Sequence, residues 1–474
     1  MQRVRGNRPA VGFISLGCPK NQVDCELMLS RADDAGFALA TELEQADALV
    51  INTCAFIAAA QAEADEAIRE ALEQKRAGRC RAVIVAGCLP QYLQQRRHEA
   101  YPEVDAWLTP DNPGSIGEVL SRLLDEDASE ELAEPERFAL PAFLADAEAG
   151  RVLSTPPSLA YVKIADGCNH RCRFCIIPEL RGRYRSRPPD DVLAEVAMLS
   201  ELAVPEIVLV SQDSSYYGRD LGGPRLAGLL EQLCTLDGSG WLRVMYMYPD
   251  HVTHELLETW GRLASDSAGR RLLPYFDVPV QHVSGALLKS MRRRGDRASI
   301  DALFGRIRQA CPDAVIRTSL IVGYPGETEA QFDELCDWVA SGAVDRLGVL
   351  TYSDLPELQS HRLPDHVDEN IKLQRQELLM EAQYDVMLER EQALVGTEIE
   401  VLLEEAEQPE DEPDTGAPLA AERDVYVYLG RSWRDAYEID GLARVSSPQP
   451  LELYQVVRAR VTAADAYDLD AEAL

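Results

Sequence analysis

Three cysteines fall within the nine residues GCNHRCRFC (167–175): Cys168, Cys172 and Cys175, with three and then two residues between them. Thiolates this closely spaced suit soft metals and iron–sulfur clusters. In a cubane cluster, three cysteine ligands leave one iron with an open position, and an open position is a place for chemistry. A structural zinc site is the competing reading, but zinc wants four protein ligands and no fourth follows at once. His170 is the available candidate, although it fits a hydrogen-bonding loop residue better than a ligand.

A second set is spread more widely. Cys18, Cys54 and Cys88 lie 36 and 34 residues apart, too far for a short motif, yet each closes a β-branched run: FISLGC, LVINTC and VIVAGC. One βαβ unit takes about thirty residues, and the strand ends of a parallel sheet share one edge. The spacing therefore predicts that the three thiols converge. Free cysteines are often simple core residues, but recurrence at the same place in three consecutive units argues against that. Cys234, Cys311 and Cys336 fall in the apolar stripes of predicted helices and read as packing; Cys25 and Cys80 have no such context. The turn IVGYPGET (321–328) ends a predicted strand, and its glycines let backbone approach a nucleoside closely.

The elements that must position these residues define an α/β fold. In the first third, runs at 10–17, 46–53 and 81–87 alternate with amphipathic stretches such as 62–78, which predicts an N-terminal parallel-sheet domain (9–124). A linker (125–153), acidic and Pro- and Ala-containing, follows. Six strand-like runs, at 161–165, 206–210, 242–247, 275–280, 315–323 and 347–352, are separated by helical patterns. They predict a partial (β/α)6 barrel over 154–391, with its site where the strand C-termini meet the following loops. A long polar helix (about 366–394) leads to a strand-rich region (394–462) that reads as a small antiparallel β-barrel, with an acidic loop at 404–416 and an acidic tail at 463–474.

Among the 474 residues, 80 acidic side chains against 47 basic give a net charge of −33. Such a chain has no general attraction to nucleic acid and favours a basic partner. The C-terminal residues 391–474 carry 20 acidic and 6 basic side chains, so the bias is strong there. No apolar run approaches bilayer length, which argues against a membrane partner. The opening MQRVRGNRPAVGFISLGC mimics a lipoprotein signal, but its apolar stretch is too short and reads as a strand. Eleven cysteines without an export signal point to the cytoplasm.

The GCNHRCRFCIIP segment at the end of a first barrel strand, with the IVGYPGET turn, resembles the radical S-adenosylmethionine superfamily. Two three-cysteine sites in a βαβ domain and a barrel, followed by a small β-barrel, resemble its methylthiotransferases. SLGCPKNQVD (15–24), RGRYRSR (181–187), DVPVQH (277–282) and GRSWRDAYEIDG (430–441) are similar to their RimO branch. The resemblance runs from about residue 9 to about 462. It departs from the branch pattern at Tyr437, where proline is usual, and at Cys25, where serine is common.

The resemblance implies that Cys168, Cys172 and Cys175 ligate a 4Fe–4S cluster that reduces S-adenosylmethionine to methionine and a deoxyadenosyl radical. That radical takes hydrogen from the β-carbon of an aspartate in ribosomal protein S-twelve, a basic partner met free or on the small ribosomal subunit. Cys18, Cys54 and Cys88 would hold a second, auxiliary 4Fe–4S cluster whose open iron carries the sulfur, and a second S-adenosylmethionine would supply the methyl group. Gly323, Pro325, Gly326 and Glu327 would contact S-adenosylmethionine, and the C-terminal barrel would be a substrate-recruiting TRAM domain. An electron donor such as flavodoxin or ferredoxin is expected, and a monomer suffices. Two other readings are a tRNA adenosine methylthiotransferase, whose branch usually opens with a TFGCQMN-like motif absent here, and a non-catalytic two-cluster protein. The first predicts a basic C-terminal barrel; the second needs neither the glycine turn nor open irons.

Overall fold

The computed structural model describes residues 8–124, 140–145, 147–238, 240–265, 270–407 and 425–474. In its first domain, β1 (Ala10–Ser15), β2 (Ala38–Leu39), β3 (Ala48–Thr53), β4 (Ala82–Gly87) and β5 (Ala106–Leu108) pair in the order β2-β1-β3-β4-β5, all parallel. β3 and β4 are buried along their whole length, as central strands covered on both faces must be. Ile68 and Leu72 of the helix Ala58–Arg76 pack on one face. Met28 of the helix Pro19–Asp34 and Leu120 of the helix Ile116–Leu124 pack on the other.

The middle domain carries β6 (Leu159–Lys163), the short antiparallel pair β7 (Ala165–Asp166) and β8 (Arg185–Ser186), then β9 (Glu206–Val210), β10 (Gly240–Val244), β11 (Arg270–Leu272), β12 (Tyr275–Asp277), β13 (Val315–Val322) and β14 (Arg346–Thr351). β11 and β12 are one run interrupted at Pro274, which has no N–H to give a ladder. Its first half pairs with β10 and its second with β13. The result is a six-stranded, all-parallel open barrel.

Alternation along these strands sorts the side chains. Ala160, Val162, Ile207, Leu209 and Leu242 face the surrounding helices. Leu159, Tyr161, Val208, Val210 and Tyr275 share an inner cluster, which Val23 of the first domain and Leu402 and Ala436 of the third also join. The barrel is thus covered at the C-terminal end of its strands by the helix Pro19–Asp34. It is plugged at the other end by the segment 431–440. Glu206, the first residue of β9, accepts there from Arg243 Nε (2.6 Å) and Arg431 Nη2 (2.7 Å). Arg346 pairs with Asp435 (2.7 Å) and Glu391 (2.9 Å), and Tyr275 donates its hydroxyl to Asp440 (2.6 Å). This ion-pair floor is where most of the GRSWRDAYEIDG motif is used.

The helix Glu369–Gln392 leads to β15 (Glu398–Ala406), β16 (Tyr426–Ser432), β17 (Ala443–Ser447), β18 (Val456–Ala464) and β19 (Leu469–Ala473), a closed barrel in the order β15-β16-β17-β19-β18. Two expectations are corrected here. Residues 463–474 are no tail: Leu469 and Ala471 are buried and Asp470 and Glu472 are exposed, so a period-two strand was concealed by its acidic outer face. The barrel is also not wholly antiparallel, because β19 closes it by pairing parallel to β17. Residues 125–139 of the expected linker and 408–416 of the expected acidic loop lie outside the described residues. Among the described residues, no helix is long and apolar enough to cross a membrane.

Candidate active site

Cys18, Cys54 and Cys88 follow the C-terminal ends of β1, β3 and β4, which are neighbours in the sheet. Close approach of these loops needs glycine beside two of the cysteines. Gly17 (φ +94°) would put a Cβ 2.6 Å from Cys54 Cβ, and Gly87 (φ +90°) would put one 2.5 Å from the Thr53 carbonyl oxygen. Asn21 ties the loops together by donating to Leu16 O (3.2 Å) and Thr53 O (2.9 Å).

Cys168, Cys172 and Cys175 lie in the loop after β7. Backbone hydrogen bonds from Cys168 N to Gly182 O (3.1 Å) and from Arg173 N to Met291 O (3.1 Å) shape it. All six cysteines line a single cavity of about 330 Å³ between the first and middle domains. None of the six forms a disulfide. Burial pushes the Cys88 and Cys168 thiols up to about 12, in Cys88 despite the Arg181 guanidinium beside it. A coordinated metal removes the proton of such a thiol outright. Three converging thiols on each side suit clusters that keep an open iron, and His170, which also lines the cavity, is bonded through Nε2 to Asp213.

The wall between the two sets is held in an unusual backbone conformation. Tyr246, just past β10, has φ 62°, and Gln281, beyond β12, has φ 76°. A bulky residue in this region costs about 1–3 kcal/mol and persists only where its surroundings over-determine it. Tyr246 N donates to Asp277 Oδ2 (2.9 Å), and its carbonyl accepts from Ser214 N (2.8 Å). Gln281 is pinned into β13 through Ser319 O (2.9 Å) and Ile321 N (2.8 Å).

Three cationic side chains reach the wall: Lys20, Arg181 and Arg293. Arg181 crosses from the middle domain, donating from Nε to Cys88 Sγ (3.3 Å) and from Nη1 to Asp24 Oδ2 (2.5 Å) and Asp166 Oδ2 (3.3 Å). Lys163 pairs with the same two carboxylates. Desolvation pushes Asp166 up, but Lys163 and Arg181 outweigh it and hold the carboxyl well below the usual range. Lys20, by contrast, is pulled down by burial.

His170 is a hydrogen-bonding residue. Its Nε2 and His251 Nδ1 each lie 2.7 Å from the same oxygen of buried Asp213, and its ring stacks on Tyr248 at 3.7 Å. These three groups are close enough to share a cation, but the two hydrogen bonds already satisfy the carboxylate. The glycine turn sits after β13, and Gly323, Pro325, Gly326 and Glu327 are not among the residues lining the cavity. Buried Glu327 accepts instead from Gly323 N (2.6 Å), Arg375 Nη1 (2.5 Å) and His282 Nε2 (3.2 Å).

Cys234 and Cys336 pack against the main core, and Cys311 is buried in it one residue beyond the helix Arg297–Ala310. Cys25 and Cys80 are buried on opposite faces of the first sheet. Sequence reasoning missed Lys20, Arg181, Asp213, Tyr246, His251 and Gln281. Lys20 was signalled by its place two residues after Cys18, Arg181 by the Arg-rich motif, and Asp213, Tyr246 and Gln281 by a place just past a strand end; His251 carried no such signal.

Residues 10–109 match the family described as Uncharacterized protein family UPF0004, residues 162–339 the Radical SAM superfamily and residues 395–474 the TRAM domain. The chain is 42% identical to ribosomal protein uS12 methylthiotransferase RimO of Syntrophus aciditrophicus (strain SB), covering 98% of each. It is 38% identical to the protein of the same name from Clostridioides difficile (strain 630), again over 98% of each. Among solved structures, the cobalamin- and cluster-bound radical S-adenosylmethionine methyltransferase TsrM from Kitasatospora setae is 14% identical, with a TM-score of 0.49 over 75% of this chain and 74% of that one. That likeness is too distant to bear on the site.

Proposed function

The chain belongs to the RimO family of ribosomal protein uS12 methylthiotransferases, and from that premise we propose how its own residues serve the reaction. It is a radical S-adenosylmethionine enzyme that transfers a methylthio group, with uS12 as its substrate. Cys168, Cys172 and Cys175 hold one 4Fe–4S cluster, and Cys18, Cys54 and Cys88 hold a second. When bound, these clusters and S-adenosylmethionine supply the radical, the sulfur and the methyl group. The target is the β-carbon of an aspartate.

The observation that carries this reading is that both cysteine triplets line one cavity, so a single inserted side chain can reach both. Phe56, Phe174, Met247 and Pro279 give that cavity apolar walls that exclude water from a reactive intermediate. Arg181 sets positive charge against the Cys88 thiolate where burial makes the attraction strong. Tyr246 and Gln281 fix the wall so that the entering residue meets a preorganised surface. Breaking a C–H bond homolytically needs no acid–base pair.

The acidic C-terminal barrel steers the basic ribosomal protein. Arg431 and Arg434 are spent on ion pairs with Glu206, Glu404 and Glu391, so they offer little cationic surface to a partner. RNA would meet repulsion there at each phosphate. The enzyme works in the cytoplasm, as a monomer, with a flavodoxin or ferredoxin as reductant.

The test is anaerobic turnover of the cluster-reconstituted protein with reductant, sulfide and S-adenosylmethionine. One tube holds uS12 or small subunits, the other unmodified tRNA, and both are read by mass spectrometry. A methylthio gain on an aspartate of uS12 alone is expected. A gain on tRNA alone would overturn the reading.

A further inference from the structure

We propose that Lys20 determines substrate specificity by binding the carboxylate of the target aspartate, its ammonium group facing the cavity between the two cysteine triplets. The proposal rests on the aspartate reading given above.

Lys20 is the second residue of the helix Pro19–Asp34 and is only 8% exposed, yet it lines the cavity. Its Nζ lies 3.4 Å from the centroid of the Tyr246 ring. Among the described residues it makes no ion pair with a carboxylate, whereas Lys163, on the neighbouring strand β6, has two. A buried lysine without an anionic partner is uncommon and costly. The other two cations on the wall are engaged. Arg181 is held by Asp24, Asp166, Asn21 and Cys88. Arg293, like Lys20, has no carboxylate partner among the described residues, but it donates to Pro279 O (2.6 Å) and lies over the Tyr248 ring.

No aspartate or glutamate is among the residues lining the cavity, although the chain as a whole carries −33. A carboxylate entering beside Lys20 therefore meets no competing carboxylate of the protein. The target aspartate brings such a group, and the geometry of that side chain makes the contact useful. Its reacting β-carbon is one bond from the carboxyl carbon, so anchoring the carboxylate also fixes the carbon that must lie between the two cysteine sets. Asparagine has the same shape without the charge. Glutamate has the charge with an added methylene, which displaces the carbon next to the backbone.

The competing role for Lys20 is to offset the charge of the Cys18 thiolate. That role is blind to the substrate's charge, and the experiment uses this difference. Labelled uS12 peptides with the target aspartate or with asparagine in its place are offered to reconstituted wild type, Lys20→Met and Lys20→Arg. Dissociation constants come from fluorescence anisotropy, product from mass spectrometry, and cluster content from iron analysis. A charge-assisted contact of this kind predicts that wild type prefers the aspartate peptide by about 10- to 100-fold. Lys20→Met should lose that preference through weaker binding of the aspartate peptide alone, keep its iron, and be partly rescued in Lys20→Arg. Equal effects on the two peptides, or an unchanged preference in Lys20→Met, would overturn the proposal. So would loss of iron in Lys20→Met with no preference in the iron-replete Lys20→Arg. Failure of wild type to modify the aspartate peptide would instead bring down the substrate reading, and the proposal with it.

Discussion

Arg181 Nε donates to Cys88 Sγ across 3.3 Å, from the middle domain to the first. The same guanidinium is paired with Asp24 of the first domain and Asp166 of the middle one. One side chain thus joins the apposition of two domains to the environment of a cysteine that closes a strand of the first sheet. The domains cannot slide past each other without leaving buried charge unpaired.

Replacing Arg181 by Gln strands Asp24 and Asp166 with Lys163 as their only cation. Breaking a buried pair in this way costs about 3–5 kcal/mol. A matching loss in thermal or urea unfolding is expected, together with weaker retention of iron at the Cys18–Cys54–Cys88 site. Arg181→Lys should recover most of the stability but not the bond to Cys88. Iron content unchanged in both variants would show that the thiol contact is incidental.

The two cysteine sets should empty independently. Cys54→Ala and Cys172→Ala should each leave about four of about eight irons, since each cubane holds four. Neither variant should make methylthio product. Only the Cys54 variant should still cleave S-adenosylmethionine, measured as released deoxyadenosine. Loss of all iron in either variant would argue against two separate sites.

Glu206 sets a pH dependence for the seat of the C-terminal barrel. Desolvation pushes its carboxyl up, but Arg243 and Arg431 outweigh that and hold it below the ordinary 4.5. A carboxyl lowered in the native state adds stability that is fully present above its unfolded value and is lost as pH falls through the native one. Acidification below about 4.5 should therefore loosen segment 431–440 from the barrel, seen as faster proteolysis between the middle and C-terminal domains. Glu206→Gln should show the looser state already at neutral pH, with a stability loss of about 3–5 kcal/mol.

Glu327 was expected among the S-adenosylmethionine contacts, and its hydrogen bonds to Gly323, His282 and Arg375 show what else it does. Glu327→Gln should lower unfolding stability by about 3 kcal/mol or more, because Arg375 loses a buried partner. If the glutamate acts only by holding the turn, the folded variant should bind S-adenosylmethionine as wild type does in equilibrium dialysis. Weakened binding with the fold intact would restore a direct contact.

Much of the architecture is a local matter and could be read from the chain. β9 falls at 206–210 as its β-branched run predicts, and β3 and β4 end one residue before their cysteines. The period of a strand and the length of a βαβ unit are set by backbone geometry, so strand ends carrying cysteines about 35 residues apart had to meet on one edge. The acidic strand β19 was harder, because its outward Asp470 and Glu472 made a short run look solvated.

Which charges would be buried was a different kind of question. Lys20, Asp24, Lys163, Arg181 and Glu206 are ordinary members of a chain that is 27% charged, and each would pass for a surface residue. Their partners are remote: Lys163 meets Asp24 across 139 residues and Arg181 meets Asp24 across 157. Periodicity says which face a side chain takes on its own element, but a buried ion pair is defined by two elements and the exclusion of water between them. The sequence by itself determined the main parallel strands and the six thiols that follow them. Only the docking of three domains decided which cations would surround those thiols, because burial belongs to the assembled surfaces and not to any one segment.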